Sequence, residues 1–357
     1  GLYLFNLSSE APEFIAKNGT KPHFGSSNER VYVQGWSASG PSLDSIDLTD
    51  HSRRTLYTSS HATEYSVSPN GEYLAFAERF RVHVTPFVER GQPISISPND
   101  RQFPVEQLSK RAGDNISWTH DSARLYWSLG PELYSASLDG MFNIGASEQA
   151  LVADGTNISF TQDAYVPEQT VAFVGGKVIT MNGEQVIDNG VVVVEGNKII
   201  AVGERGRVRV PQQARVIDTS GKTIMPGLID THAHGAQGEQ QIIPQQNWVM
   251  YAGLTFGVTT IHDPSNNTAQ IFTASEMQRA GQIVGPRIFS TGTILYGANG
   301  PGYTAHVDSL DDALFHLERM KKVGAFSVKS YNQPRREQRQ QIIQAARELD
   351  MMVVPEG

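Results

Sequence analysis

Three stretches of the chain repeat one arrangement of apolar and polar positions: the end of one strand, a polar turn, then a second apolar strand. They are His23 to Val33, Ser66 to Phe76 and Ser117 to Trp127, which align without gaps and start 43 and 51 residues apart. That period is close to the roughly 40 to 50 residues of a four-stranded propeller blade. Between them lie further strand-like runs, Leu2 to Leu7, Leu43 to Leu48, Arg81 to Phe87 and Leu133 to Leu138, which read as the next strand of each unit. Asn70-Gly71 and Asp121-Ser122 supply turn residues tolerant of positive φ, so hairpins are expected. No 3.6-residue apolar period persists before about residue 160, which argues against a helical solenoid.

The grammar then changes twice. From Val171 to Met225 short β-runs (Val171 to Val174, Lys177 to Met181, Gly190 to Val194, Lys198 to Val202, Arg215 to Ile217) are separated by Asn-Gly, Asn-Gly and Gly-Asn turns, which predicts a small antiparallel sheet or sandwich. From Thr223 strands alternate with helices. Strands are expected at Thr223 to Thr231, Val258 to His262, Arg287 to Tyr296, Phe326 to Tyr331 and Met351 to Val354, and helices at Pro244 to Leu254, Thr268 to Gln282, Leu310 to Val323 and Arg336 to Leu349. Ser309 followed by Asp312, with Ala313, Leu314, Leu317 and Met320 on one face, marks the third helix most clearly. Regular βα units imply a parallel sheet, open or closed as a barrel. Five strands in this stretch amount to about half of an eight-unit barrel, and no G-x-G-x-x-G follows the first strand, so a dinucleotide fold lacks its signature. The expected organisation is multidomain: a partial β-propeller over 1–165, a small β-sandwich over 166–224 and the first half of a (β/α)8 barrel over 225–357.

Composition narrows the chemistry. Lys and Arg number 29 against 37 Asp and Glu, a net charge of -8 without blocks, so nucleic acid and acidic membranes are poor partners. There is no cysteine, which excludes disulfides, thiolate zinc sites and cysteine nucleophiles. No stretch has the roughly 18 apolar residues of a membrane span. Metal chemistry therefore falls to His, carboxylates or a modified Lys.

Such residues gather where the first βα strand ends, in Pro226-Gly-Leu-Ile-Asp-Thr-His-Ala-His-Gly235. Side chains two apart on a strand share a face, so His232 and His234 are expected to project together from the carboxyl end, where barrel enzymes place their sites. Two imidazoles on one rigid element suit zinc. This run resembles the amidohydrolase superfamily, whose hallmark is Pro-Gly-apolar-apolar-Asp-x-His-x-His after a small β-domain. The run Gly257 to Asp263 is similar to that of the imidazolonepropionase-like and prolidase-like branch, and Val67-Ser-Pro-Asn-Gly71 resembles the TolB-type, WD40-like propeller unit. The resemblance implies two divalent metal ions, zinc in the first instance, held by His232, His234 and a carboxylated Lys329 bridging them. It also implies histidine ligands from the fifth and sixth strands and an Asp base from the eighth, expected beyond Gly357. Further propeller blades are expected before Gly1, so that this stretch alone would be an inactive piece packed against the rest of its own polypeptide.

A lysine inside a doubly buried parallel strand favours the neutral amine, which can take up carbon dioxide; a strand-end lysine in an ordinary ion pair is the alternative. Asp230, His262 and Asp263 are candidates for supporting or substrate contacts, His262 being equally readable as structural. Tyr296, Tyr303 and His306 flank or lie in a Gly-rich loop where substrate would be met, or they line an ordinary loop. The function expected is hydrolysis of amide-type C–N bonds in a dipeptide or N-acyl amino acid. The alternatives are a propeller-based binding protein on a degenerate barrel and a mononuclear deaminase. The propeller resemblance implies a periplasmic or secreted location, with the cytoplasm and homo-oligomerisation left open.

Overall fold

The structure is a computed structural model and describes residues 1–7, 11–100, 102–110, 113–143, 150–239, 242–298 and 304–356. Its first part is a succession of sheets that are antiparallel except where Ile94–Ser95 pairs in parallel with Arg53–Thr58. After the hairpin Leu2–Phe5 and Pro12–Ala16 come a five-stranded sheet (Thr20–His23, Arg30–Ser37, Gly40–Asp47, Arg53–Thr58, Ile94–Ser95) and two four-stranded sheets. The first of the two runs Ala62–Val67, Tyr73–Glu78, Arg81–Pro86, Glu106–Gln107, and the second Asp114–Trp118, Arg124–Leu129, Glu132–Ser137, Thr156–Asn157. Each of the three repeats falls across the first hairpin of one sheet. The hairpin at Asn70-Gly71 closes with Gly71 at φ +74°, a conformation glycine adopts without a Cβ penalty.

Why the repeats read so apolar is plain in Tyr73–Glu78. Alternate side chains leave a strand on opposite faces; Leu74 and Phe76 join the core shared with the preceding sheet, while Ala75 and Ala77 join the core around Trp127 of the following one. Equivalent polar ties link neighbouring sheets. His23 Nε2 accepts from Val67 N at 3.0 Å, Ser122 Oγ accepts from Asn70 N at 3.0 Å, and Trp118 Nε1 donates to Ser66 Oγ at 3.1 Å.

The middle segment departs from the expected antiparallel sheet or sandwich. Among the described residues it is one mixed sheet: Lys198–Glu204, Val186–Glu195 and Thr170–Ile179 are antiparallel, but Arg215–Asp218 and Thr223–Ile224 both pair in parallel with Thr170–Ile179. The runs Val171 to Val174 and Lys177 to Met181 are largely one strand, Thr170–Ile179, whose register shifts at Gly175 and Gly176. Gly175 takes φ +92°, the kind of bulge that lets a strand stay paired while it bends.

The last segment forms parallel sheets with helices between the strands. Leu228–Asp230, Val258–Asp263 and Arg287–Ser290 make one, and Thr304–His306, Ile294–Tyr296, Ser327–Ser330 and Met352–Pro355 the other. Two expected strands are split. Thr223–Ile224 stays with the mixed sheet because Pro226 offers no N–H to continue a ladder, and Arg287 to Tyr296 breaks at Gly292, φ +63°. The helices Trp248–Thr255, Thr268–Arg279, Leu310–Lys322 and Arg336–Glu348 lie where expected. Asn247, Asn267 and Ser309 cap the first three by accepting from the backbone of Val249, Gln270 and Asp312, each cap contributing about 1 kcal/mol.

The sheets and the βα segment touch. The hairpin Arg79-Phe80, both at positive φ, pushes Phe80 into the cores on both sides. There Arg319 of the helix Leu310–Lys322 lies 3.6 Å over the Phe80 ring, and Arg81 lies 4.3 Å over Phe315.

Candidate metal centre

The first parallel strand stops at Asp230, so the two histidines stand on the turn just after it rather than on the strand itself. The turn is built by Asp230, whose Oδ1 accepts from His232 N at 3.0 Å. It brings the rings together all the same: His232 and His234 are 5.0 Å apart between centroids and nearly perpendicular.

Asp263, at the end of the second parallel strand and 1% exposed, orients His234. Its Oδ1 lies 3.3 Å from His234 Nδ1. The carboxylate is itself held by Ser265 N at 3.0 Å and Asn266 Nδ2 at 2.7 Å, and Asn266 also donates to Gly235 O at 3.0 Å. A carboxylate on one ring nitrogen fixes the tautomer and leaves the other nitrogen as a donor to a metal. His262, one residue earlier, bonds through Nε2 to Ser327 Oγ at 2.8 Å and so ties the second strand to the strand bearing Lys329. Burial pushes the His262 imidazole below its usual pKa, which keeps it neutral around pH 7.

Lys329 occupies a strand whose four residues are all buried, and is itself 1% exposed. Its neighbours in register are Ile294 and Val354. Its ammonium donates to Glu356 Oε2, just past the strand Met352–Pro355. That contact, chiefly as a hydrogen bond, holds the Glu356 carboxyl below the usual range, with smaller contributions from the nearby His232 and His234. The lysine is buried while its partner carboxylate is 36% exposed, so the ion pair, which is the ordinary alternative for this lysine, sits at the rim of the strand end.

The remaining candidates are divided. Tyr296 ends its strand opposite His306 and packs edge-to-face on Tyr331 at 5.4 Å. His306 Nε2 is bound to Asp308 at 2.7 Å, and Asp308 in turn to Arg335 at 3.1 Å, so His306 belongs to a salt-bridged loop base. Tyr303 lies outside the described residues. Sequence reasoning passed over Glu356, Asn266 and Ser327. Glu356 stands directly after a strand end, which marks its position but not its partner.

Among the described residues no three imidazole or carboxylate groups already stand at the spacing of a closed cation cage. The two adjacent imidazoles are nevertheless of the donor type that a borderline divalent ion takes.

No family profile matches the chain. It is 44% identical over 63 residues to a 5-methylthioadenosine/S-adenosylhomocysteine deaminase from Symbiobacterium thermophilum, covering 17% of this chain and 14% of that protein. It is 34% identical over 77 residues to an imidazolonepropionase from Alkaliphilus metalliredigens, covering 20% and 18%. The matches thus span less than a fifth of these curated relatives. Among solved structures, a Xaa-Pro dipeptidase with bound methionine in the active site is 21% identical with a TM-score of 0.44, covering 52% of this chain and 56% of that one. Over these short stretches the chain is similar in sequence to proteins named as a deaminase and an imidazolonepropionase.

Proposed function

We propose that the chain carries the metal centre of an amidohydrolase that cleaves amide-type C–N bonds in small substrates of the dipeptide or N-acyl amino acid class. The observation that supports this most directly is the pairing of His232 and His234 just after one parallel strand, with a buried Lys329 on another. His232 and His234 would hold divalent ions, zinc in the first instance, with Lys329 as a carbamate bridging two of them. Such ions supply Lewis acidity, lowering the pKa of water and polarising a substrate carbonyl. The chain's own residues prepare that chemistry. Asp263 stands against His234 Nδ1, neutral His262 adds no positive charge next to an incoming cation, and the buried strand around Lys329 excludes water. In the same reading the βα segment is the first half of a (β/α)8 barrel, the antiparallel sheets are blades of a TolB-type propeller, and the protein works outside the cytoplasm.

The test is metal content. His232→Ala combined with His234→Ala is expected to abolish tight zinc binding, and unchanged stoichiometry in the double variant would overturn the proposal. A mononuclear deaminase is the second reading, favoured by the name of the 44% identical relative. It predicts one ion per chain where the bridged site predicts two.

A further inference from the structure

We propose that the cleft walled by Arg335, Arg336 and Arg339 binds a phosphate-type dianion, at a site that uses none of the metal-centre residues and does not depend on the hydrolase reading. The cleft encloses about 540 Å3 and is lined by these three arginines with Gln333, Gln340 and Ile343. Two of the guanidinium groups are already held in place. Arg335 Nη2 donates to Asp308 Oδ1 at 3.1 Å, and Arg339 Nη2 donates to Tyr331 O at 3.2 Å and to Glu356 O at 2.5 Å. A guanidinium has five N–H donors, so both keep others for a ligand. Arg336 is exposed and forms no hydrogen bond or ion pair among the described residues. Gln333 is fixed as well, its Nε2 donating to Leu295 O at 2.8 Å and its Oε1 accepting from Gly297 N at 2.9 Å.

Positive charge is concentrated here against its own electrostatics. Arg339 stands four residues from Arg335 and three from Arg336, spacings at which like charges on a helix repel, and the start of a helix disfavours cations. Nearby carboxylates do not balance the three. Asp308 offsets Arg335, Glu356 is taken by Lys329, and Glu337 shares the first turn without lining the cleft. The surplus of about two charges matches a phosphate group, and guanidinium forks suit its oxygens; a single carboxylate would offset only half of it. Ile343 offers an apolar contact to the organic part of a monoester. Tyr331 and Glu356 directly follow the strands Ser327–Ser330 and Met352–Pro355, so the cleft lies against the carboxyl ends of parallel strands, the end at which βα folds take up ligands.

The experiment is calorimetric titration of the metal-free full chain with inorganic phosphate and with phenyl phosphate, the ionic strength held constant with chloride. Expected is one site per chain, at least fivefold weaker binding in Arg336→Gln and at least tenfold when Arg335→Gln is added. Arg347→Gln removes the same charge from the last turn of the same helix and should bind within twofold of the parent. Phenyl phosphate binding at least threefold tighter than phosphate supports a phosphorylated small molecule as the source, and equal affinities support free phosphate. No binding by the parent, or equal weakening in Arg336→Gln and Arg347→Gln, would overturn the inference. So would binding that survives the arginine variants and is lost in His232→Ala with His234→Ala, because the anion would then sit at the histidines.

Discussion

Replacing Arg319 by Met should stabilise the protein, although it removes a charged contact between the sheets and the βα segment. The guanidinium is 2% exposed, and its Nε and Nη2 find no hydrogen-bond partner among the described residues. Burial lowers its pKa from 12.5 to about 10, against a weaker opposing pull from Asp114. At about 1.4 kcal/mol per unit, that shift means the charged form is disfavoured by about 3 kcal/mol. Stacking on Phe80 at 3.6 Å returns about 2 kcal/mol for a desolvated cation. The charge is therefore a net cost of about 1 kcal/mol at this position. Methionine keeps an unbranched chain over Phe80 with a thioether contact worth about 0.5 to 1 kcal/mol, so Arg319→Met should gain about 1 to 2 kcal/mol in all. Arg319→Ala relieves the same charge but leaves a void, and should lose about 2 kcal/mol. Urea unfolding, with midpoint and slope both fitted, measures the two variants. A Met variant less stable than the parent by more than about 1 kcal/mol would refute the reasoning, because the guanidinium would then have partners worth more than its burial costs.

Acid should weaken the sheet region through His83. Its imidazole stacks on Phe76, is 2% exposed, and is pushed by burial from 6.5 down to about 4. Because the folded pKa is the lower one, stability is complete above pH 6.5 and falls by about 3 kcal/mol as pH drops to about 4. His83→Phe should remove that part of the slope between pH 7.5 and 4, and an unchanged slope would show that His83 is not the group responsible. Gly297→Ala should destabilise the loop after Tyr296 by about 2 kcal/mol. An added Cβ would lie 2.0 Å from Cδ of buried Gln338, whose amide donates to the Gly297 and Val307 carbonyls at 3.0 Å each. A loss below about 0.5 kcal/mol in thermal or urea unfolding would mean that Gln338 moves aside without leaving those acceptors unpaired.

What the sequence made legible was local. The two-faced strand Tyr73–Glu78, the Ser309 cap and the helix face Ala313, Leu317 and Met320 are consequences of spacing along the chain, and spacing is what periodicity reads. Pairing partners are not. Arg215–Asp218 has the same alternation whether it lies parallel or antiparallel to Thr170–Ile179, so the mixed sheet could not be distinguished from a sandwich. The break at Gly292 was hidden for a related reason: apolar and β-branched residues continue on both sides of it, and only the positive φ shows that the chain changes sheets there. The candidate site divides along the same line. His232, His234 and Asp263 were visible because each closes a strand-like run. His262 and Ser327 are 65 residues apart, and Lys329 and Glu356 are 27 apart, and nothing local marks either pair. Pro355-Glu356 reads as a turn out of the fifth strand. It acquires chemical meaning only because parallel pairing sets that turn beside the end of the lysine strand, where Glu356 meets Lys329.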